Sequence, residues 1–329
     1  SVSQNDWYGY CQCEKCKAID EEEDSPAGSL IRFVNAVADA VKDEFPDRYI
    51  DTLAYQYTRK PPQITKPHDN VIIRLCSIEC CFAHDFESCT CHQQDANGRA
   101  VSRNGTFVAD MKAWAKIAKN IYVWDYVVDF SHYFMPFPNL KVLQKNIIFF
   151  INHNVKGLFE QGCYTTEHGE MNELKAYVIA KLLWNPYYDI DIAINEFLTG
   201  YFGMAAAPIR KYLDILNDRV AENTPEGFHF GCFETPAEKF FTSEFIAEVD
   251  ELFDRAEALA ENDDILKRVE IARIAVRYVK MYLNSGTAAE KKAYLNMFFE
   301  DAQRFGIARI NEWQDLMATK ENMEKQIIN

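Results

Sequence analysis

The sequence predicts an α/β chain in which about five parallel strands alternate with helices and an all-α region follows. Two observations carry this. Between Ser1 and Glu170, short β-branched and aromatic runs alternate with segments of helical spacing, the pattern of parallel neighbours joined by right-handed crossovers. From Met171 onward apolar residues recur at helical spacing and no further strand is convincing. The expected division is therefore residues 1–170 and residues 171–329.

The elements follow in order. SVSQND (Ser1–Asp6) reads as the tail of a strand, followed by the aromatic loop WYGY and by CQCEKC. DEEEDSPAGS (Asp20–Ser29) reads as a solvated loop that delivers a helix over Leu30–Phe45, with Ser29 as its cap and Pro46-Asp47 as its stop. A second strand is expected over Tyr49–Thr58 and a third over Asn70–Phe82, running into a cysteine- and histidine-rich loop. A helix over Thr106–Asn120 leads to the run IYVWDYVVDF (Ile121–Phe130). The proline-broken loop SHYFMPFPNL and the helical KVLQKNIIFFINHN then lead to the last run, VKGLFEQGCY (Val155–Tyr164). Near-continuous apolar runs joined by helices indicate strands buried on both faces. The C-terminal half reads as amphipathic helices, among them Ser243–Asn262, Ile265–Asn284, Ala288–Arg304 and Gly306–Gln326, with the charged outer faces of a helical bundle.

Composition narrows the function classes. No apolar run approaches the roughly 20 residues of a membrane helix, so no membrane span is expected. A formal charge of −15 argues against a nucleic-acid surface, whose phosphates it would repel. Of ten cysteines, Cys11, Cys13 and Cys16 form one group and Cys76, Cys80, Cys81, Cys89 and Cys91 another, while Cys163 and Cys232 stand apart. Such clustering implies local loop chemistry. CxCxxC can give three thiolates to zinc, but it lacks a second C-x-x-C knuckle. Disulfides, for instance between Cys81 and the Cys89–Cys91 loop, or free thiols are the other readings. The expectation adopted is that no resident metal or cofactor is held and that the CxCxxC loop lies near the strand ends.

Chemistry in parallel sheets gathers at the carboxyl ends of the strands. The acids placed there are Asp6, Glu79, Asp125 and Glu160, and glycoside hydrolysis needs two carboxyls in different protonation states. Tyr55, Trp124 and His132 fall at the same ends, where aromatic faces suit the C–H-rich faces of sugars. Each acid also has a plain reading as a solvated strand end, and most aromatics of the helices are core.

SVSQNDWYGYCQCEKC, IECCFAH, IYVWDYVVDF, PFPNL, GLFEQG and LLWNP together resemble the bacterial domain-of-unknown-function family numbered 4838, over roughly Ser1 to Leu216. That family is found in large secreted proteins beside glycoside-hydrolase-like modules, some similar to the N-terminal domain of α-glucuronidases. The resemblance implies the C-terminal part of a (β/α)₈ barrel of the TIM type. GLFEQG would be its last strand and SVSQND its fourth, with three strands and an N-terminal domain supplied upstream of Ser1. It places Asp6 where many glycosidases of this fold carry their acid, and Asp125 near the position of their nucleophile. Asn5 would occupy one place of the acidic pair that hexosaminidases use, which puts a substrate-assisted mechanism in doubt. The expected function is a glycoside hydrolase acting on a polysaccharide or oligosaccharide in a secreted, periplasmic or cell-surface setting. Asp6 would be its acid and Asp125 or Glu160 the ionised partner, with Asn5, Tyr55, Glu79, Trp124 and His132 contacting substrate. A non-catalytic glycan-binding or scaffold module is the alternative, and a metal-dependent enzyme using the cysteines a distant third.

Overall fold

The computed structural model describes residues 1–94, 100–284 and 286–328. Two compact units divide the chain. The first comprises Ser1–Cys80, Phe86–Tyr126 and Asn146–Glu160, and the second Cys81–Asp85, Val127–Lys145 and Gln161–Asn329. The elements in chain order begin with α1 (Glu14–Glu22), α2 (Ala27–Val41), β1 (Ile50–Ala54) and β2 (Val71–Cys76). A short hairpin, β3 (His92–Gln94) and β4 (Ala100–Ser102), precedes α3 (Arg103–Ile117), β5 (Asn120–Tyr126), α4 (Leu143–Asn152) and β6 (Val155–Gln161).

The sheet of the first unit is parallel, in the order β1-β2-β5-β6. Ile50 stands opposite Val71, and Ile73 opposite Ile121. Four strands rather than five make it up. Ser1–Asp6 is not a strand, although it runs beside the β1 edge: the Val2 amide donates to the Asp51 carbonyl at 2.8 Å and the Leu53 amide to Ser3 Oγ at 3.0 Å. A side chain takes the second bond, so the ladder does not continue.

Burial corrects a second expectation. Thr52, Ala54, Val71, Ile73, Leu75, Ile121 and Val123 are all at most 2% exposed. They share one face, against which α2 packs. The alternate residues Leu53, Ile72, Arg74, Tyr122 and Trp124 are only half-buried, and Phe159 is 45% exposed. The strands are thus fully covered on one face alone, and their period-two alternation is the reason.

The expected loop over Asp20–Ser29 is taken up at both ends by helix, α1 covering Asp20–Glu22 and α2 starting at Ala27, and the Lys17–Glu21 pair one turn apart supports α1. Glu23, which follows it, is 0% exposed. Its carboxylate accepts from the amides of Ile64 and Thr65, the Thr65 hydroxyl and Arg32. Burial alone would raise its pKa, but these donors outweigh that and hold it down at about 2. Arg59 ties the strand ends to α3 by ion pairs to Glu79 at 2.7 Å and Asp110 at 2.9 Å, and by a bond to the Thr106 hydroxyl at 2.8 Å.

In the second unit come α5 (Asn172–Trp184), α6 (Ile190–Phe202), α7 (Ala206–Asp218), α8 (Ser243–Ala258), α9 (Asp263–Tyr282), α10 (Ala288–Arg304) and α11 (Leu316–Ile328). Consecutive helices pack on one another throughout. Asp189, Thr242, Asn262 and Thr287 cap α6, α8, α9 and α10, each accepting the amide three residues on. The last helix starts ten residues later than its pattern suggests. Gly306, at φ +74°, closes α10: its amide reaches the Gln303 carbonyl and the Ile307 amide reaches Ala302. Among the described residues no helix is long and apolar enough to cross a membrane.

Candidate functional site

Because the four strands run parallel, Tyr55, Ser77, Asp125 and Glu160 all come from one end of the sheet. Asp125 is 3% exposed, and Ser77 Oγ donates to its Oδ1 at 2.5 Å. Burial pushes its pKa up to about 6, while the Ser77 hydroxyl and the Tyr126 amide hold it down. On the neighbouring strand, Glu160 buries its Oε2, which has no hydrogen-bond partner among the described residues. Burial and then repulsion from Asp125 push the Glu160 carboxyl well above the usual range. The two carboxyls thus differ in proton affinity, Glu160 holding its proton more tightly than Asp125, the asymmetry that acid–base pairs require. Ser77, which fixes Asp125, was not foreseen; it follows directly on β2 in CSIEC, the only signal the sequence offers.

The other predicted residues separate into different roles. Tyr55 Oη donates to Asp6 Oδ1 at 3.0 Å, and burial followed by that carboxylate raises the phenol. Asp6 itself is exposed, as is Asn5, and the WYGY loop does not enclose it: Trp7 is 63% and Tyr8 73% exposed. The acids on which burial acts are Asp125 and Glu160. Glu79 is engaged by Arg59. Trp124 meets Phe159 edge to face, with centroids 5.0 Å apart, and Tyr122 lies against Gly157, where an added Cβ would come within 2.5 Å of the ring. Tyr122, Trp124 and Phe159 therefore form an aromatic surface on the half-open face. The pleat turns Asp125 the other way, onto the face of Ile121 and Val123.

His132 belongs to the second unit, where it is 9% exposed and its Nδ1 meets the Tyr278 hydroxyl at 2.5 Å. Burial lowers its pKa to about 4, so it is neutral at pH 7. Nearby in sequence, Asp129 receives the amides of Ser131, His132 and Glu234. Burial outweighs these donors and pushes Asp129 up to about 7. The same unit buries a Lys175–Glu170 ion pair at 2.7 Å, with 2% and 3% of the side chains exposed.

The thiols of Cys11, Cys13 and Cys16 converge within 4.8 Å at the start of α1, for which Cys13 is the N-cap. Bonds from the Cys16 amide and from the Cys11 and Cys16 thiols lower Cys13, while Cys16 is raised to about 11 by its two neighbouring thiols. The disulfide expected between Cys81 and the Cys89–Cys91 loop is not among the contacts of the described residues.

No curated protein and no solved structure matches the chain. A family model does match, over residues 1–214, which takes in the whole sheet and the first helices of the second unit. The chain belongs to the family described as domain of unknown function DUF4838.

Proposed function

We propose that the chain is a carbohydrate-active protein, a glycoside hydrolase whose sheet is part of a (β/α) barrel. One observation carries the reading: on adjacent parallel strand ends, burial raises two carboxyls, and the neighbouring Asp125 raises Glu160 further. Glu160 takes the role of general acid and Asp125 that of the ionised partner, oriented by Ser77. Asp6 with Tyr55 supplies a polar rim at the same strand ends. The consecutive strand order, and the segment running beside β1, support a barrel.

Screening aryl glycosides and uronides, then polysaccharides, tests this. Glu160→Gln and Asp125→Asn are each expected to lower turnover by about 10²–10⁴-fold, as loss of a positioned acid or base does. Activity that survives both substitutions refutes the assignment. A second reading, a glycan-binding module without turnover, is favoured by the pleat, which sets the carboxyl pair and the aromatic surface on opposite faces. Binding that Trp124→Ala abolishes, with no hydrolysis across the panel, would establish the second reading.

A further inference from the structure

The loop after β2 and the long connection between α7 and α8 bring together three side chains that the carbohydrate reading leaves unused: Cys81, His84 and His229. Cys81 and His84 are 0% and 6% exposed, and His229 is half-buried. The two segments are joined by a backbone bond from the Phe82 amide to the Phe230 carbonyl at 2.7 Å, one residue beyond Cys81 and His229.

The outer nitrogens of both imidazoles are already committed. His84 Nε2 lies 2.7 Å from the Val220 carbonyl and His229 Nε2 2.9 Å from the Thr224 carbonyl. A carbonyl only accepts, so each Nε2 carries the proton and each Nδ1 presents a lone pair. Both Nδ1 atoms face the same sulfur: Cys81 Sγ is 3.7 Å from that of His84 and 3.6 Å from that of His229. The three ligand atoms lie within 4.8 Å of one another. On a tetrahedral zinc, a thiolate at ~2.3 Å and an imidazole nitrogen at ~2.0 Å stand ~3.5 Å apart. The observed separations match that value, and a backbone carbonyl behind each imidazole is the support that metal-bound histidines usually have.

We propose that Cys81, His84 and His229 hold a zinc ion that staples these two loops of the second unit. One thiolate and two imidazoles form a borderline-soft donor set suited to zinc. Binding displaces the Cys81 thiol proton to solvent, so uptake releases one proton and weakens as pH falls. The fourth position falls to water. This site is independent of the exposed CxCxxC group, and the test must separate the two.

The test uses the full chain, reduced, with zinc as the probe, and measures bound metal by elemental analysis and its ligands by X-ray absorption. In a Cys11→Ser/Cys13→Ser/Cys16→Ser background, one equivalent of zinc should remain, with a shell of two imidazoles and one sulfur. In the same background, Cys81→Ser or His229→Gln should reduce it to substoichiometric levels. Because His84 is buried, His229→Gln is the deciding variant, with circular dichroism confirming its fold. A shell made of sulfur alone, zinc content unchanged by His229→Gln, or failure of the reduced chain to retain added zinc would each overturn the proposal.

Discussion

Replacing Asp125 by Asn should make the protein more stable at neutral pH while damaging whatever the site does. The ionised Asp125 is disfavoured in the fold because its pKa rises from the ordinary 3.8 to about 6. Roughly two units at 1.36 kcal/mol each amount to about 3 kcal/mol. For an acid raised in this way, the unfolded chain ionises first. Stability is therefore fully present below about pH 4, falls as pH rises toward 6, and stays reduced above it. Asn resembles the protonated acid and does not titrate, and its Oδ1 still accepts the Ser77 hydroxyl. Its extra N–H donor costs about 1 kcal/mol if unpaired, which leaves a net gain of about 2 kcal/mol at pH 7.5 and little or none at pH 4. Urea denaturation of both proteins at the two pH values measures this directly. A variant that is less stable than the parent at pH 7.5, or a difference that does not change with pH, would refute the premise that burial outweighs the Ser77 and Tyr126 donors. Carbon-13 titration of the Glu160 carboxyl in Asp125→Asn is the companion measurement: with the neighbouring charge gone, its pKa should fall.

Glu23→Gln is expected to cost about 2 kcal/mol near pH 7, allowing for solvent screening. Its lowered pKa gives stability that is present above about 4.5 and lost as pH falls toward 2, so thermal melts of variant and parent should converge in acid. Glu170→Gln leaves Lys175 buried and unpaired, and should cost about 3–5 kcal/mol. The double substitution Glu170→Leu/Lys175→Met should recover most of that loss in denaturant titrations, and failure to recover would assign the pair a role beyond mutual neutralisation. Gly306→Ala places a Cβ at φ +74° and should lower stability by about 1 kcal/mol, read as a shift in melting temperature. An unchanged melting temperature would show that the α10 terminus relaxes without strain.

Where a periodic pattern ran long enough, the residues announced their elements. The parallel α/β alternation, the strands around Val71–Cys76 and Asn120–Tyr126, and the helix over Ala288–Arg304 were all legible. The placement of Glu79, Asp125 and Glu160 near strand ends followed from the same pattern. Side-chain direction at those ends did not, because it depends on parity along the pleat: Trp124 and Asp125 are adjacent, and one step decides which faces the helices. Acidic composition hid α1 and the buried Glu23, since only tertiary partners from Ile64 and Thr65 make that carboxylate internal. The three-residue strands of the β3–β4 hairpin are too short to carry a period. His229 lies 148 residues from Cys81, a separation over which no local spacing can suggest a shared site.

The interleaving of the two units bears on how the protein can be cut. Going from Ser1 to Asn329, the chain passes from one unit to the other after Cys80, Asp85, Tyr126, Lys145 and Glu160. A cut after Glu160 would leave behind Cys81–Asp85 and Val127–Lys145, which belong with the stretch that follows it. Those orphaned segments carry Phe82, Phe130, Phe134 and Phe137, each at most 2% exposed in the intact chain. Shortened versions ending near residue 160 would therefore present aromatic surface to water and aggregate, however well their sheet is formed. Recombination breakpoints inside 81–160 would divide a segment from its own packing partners.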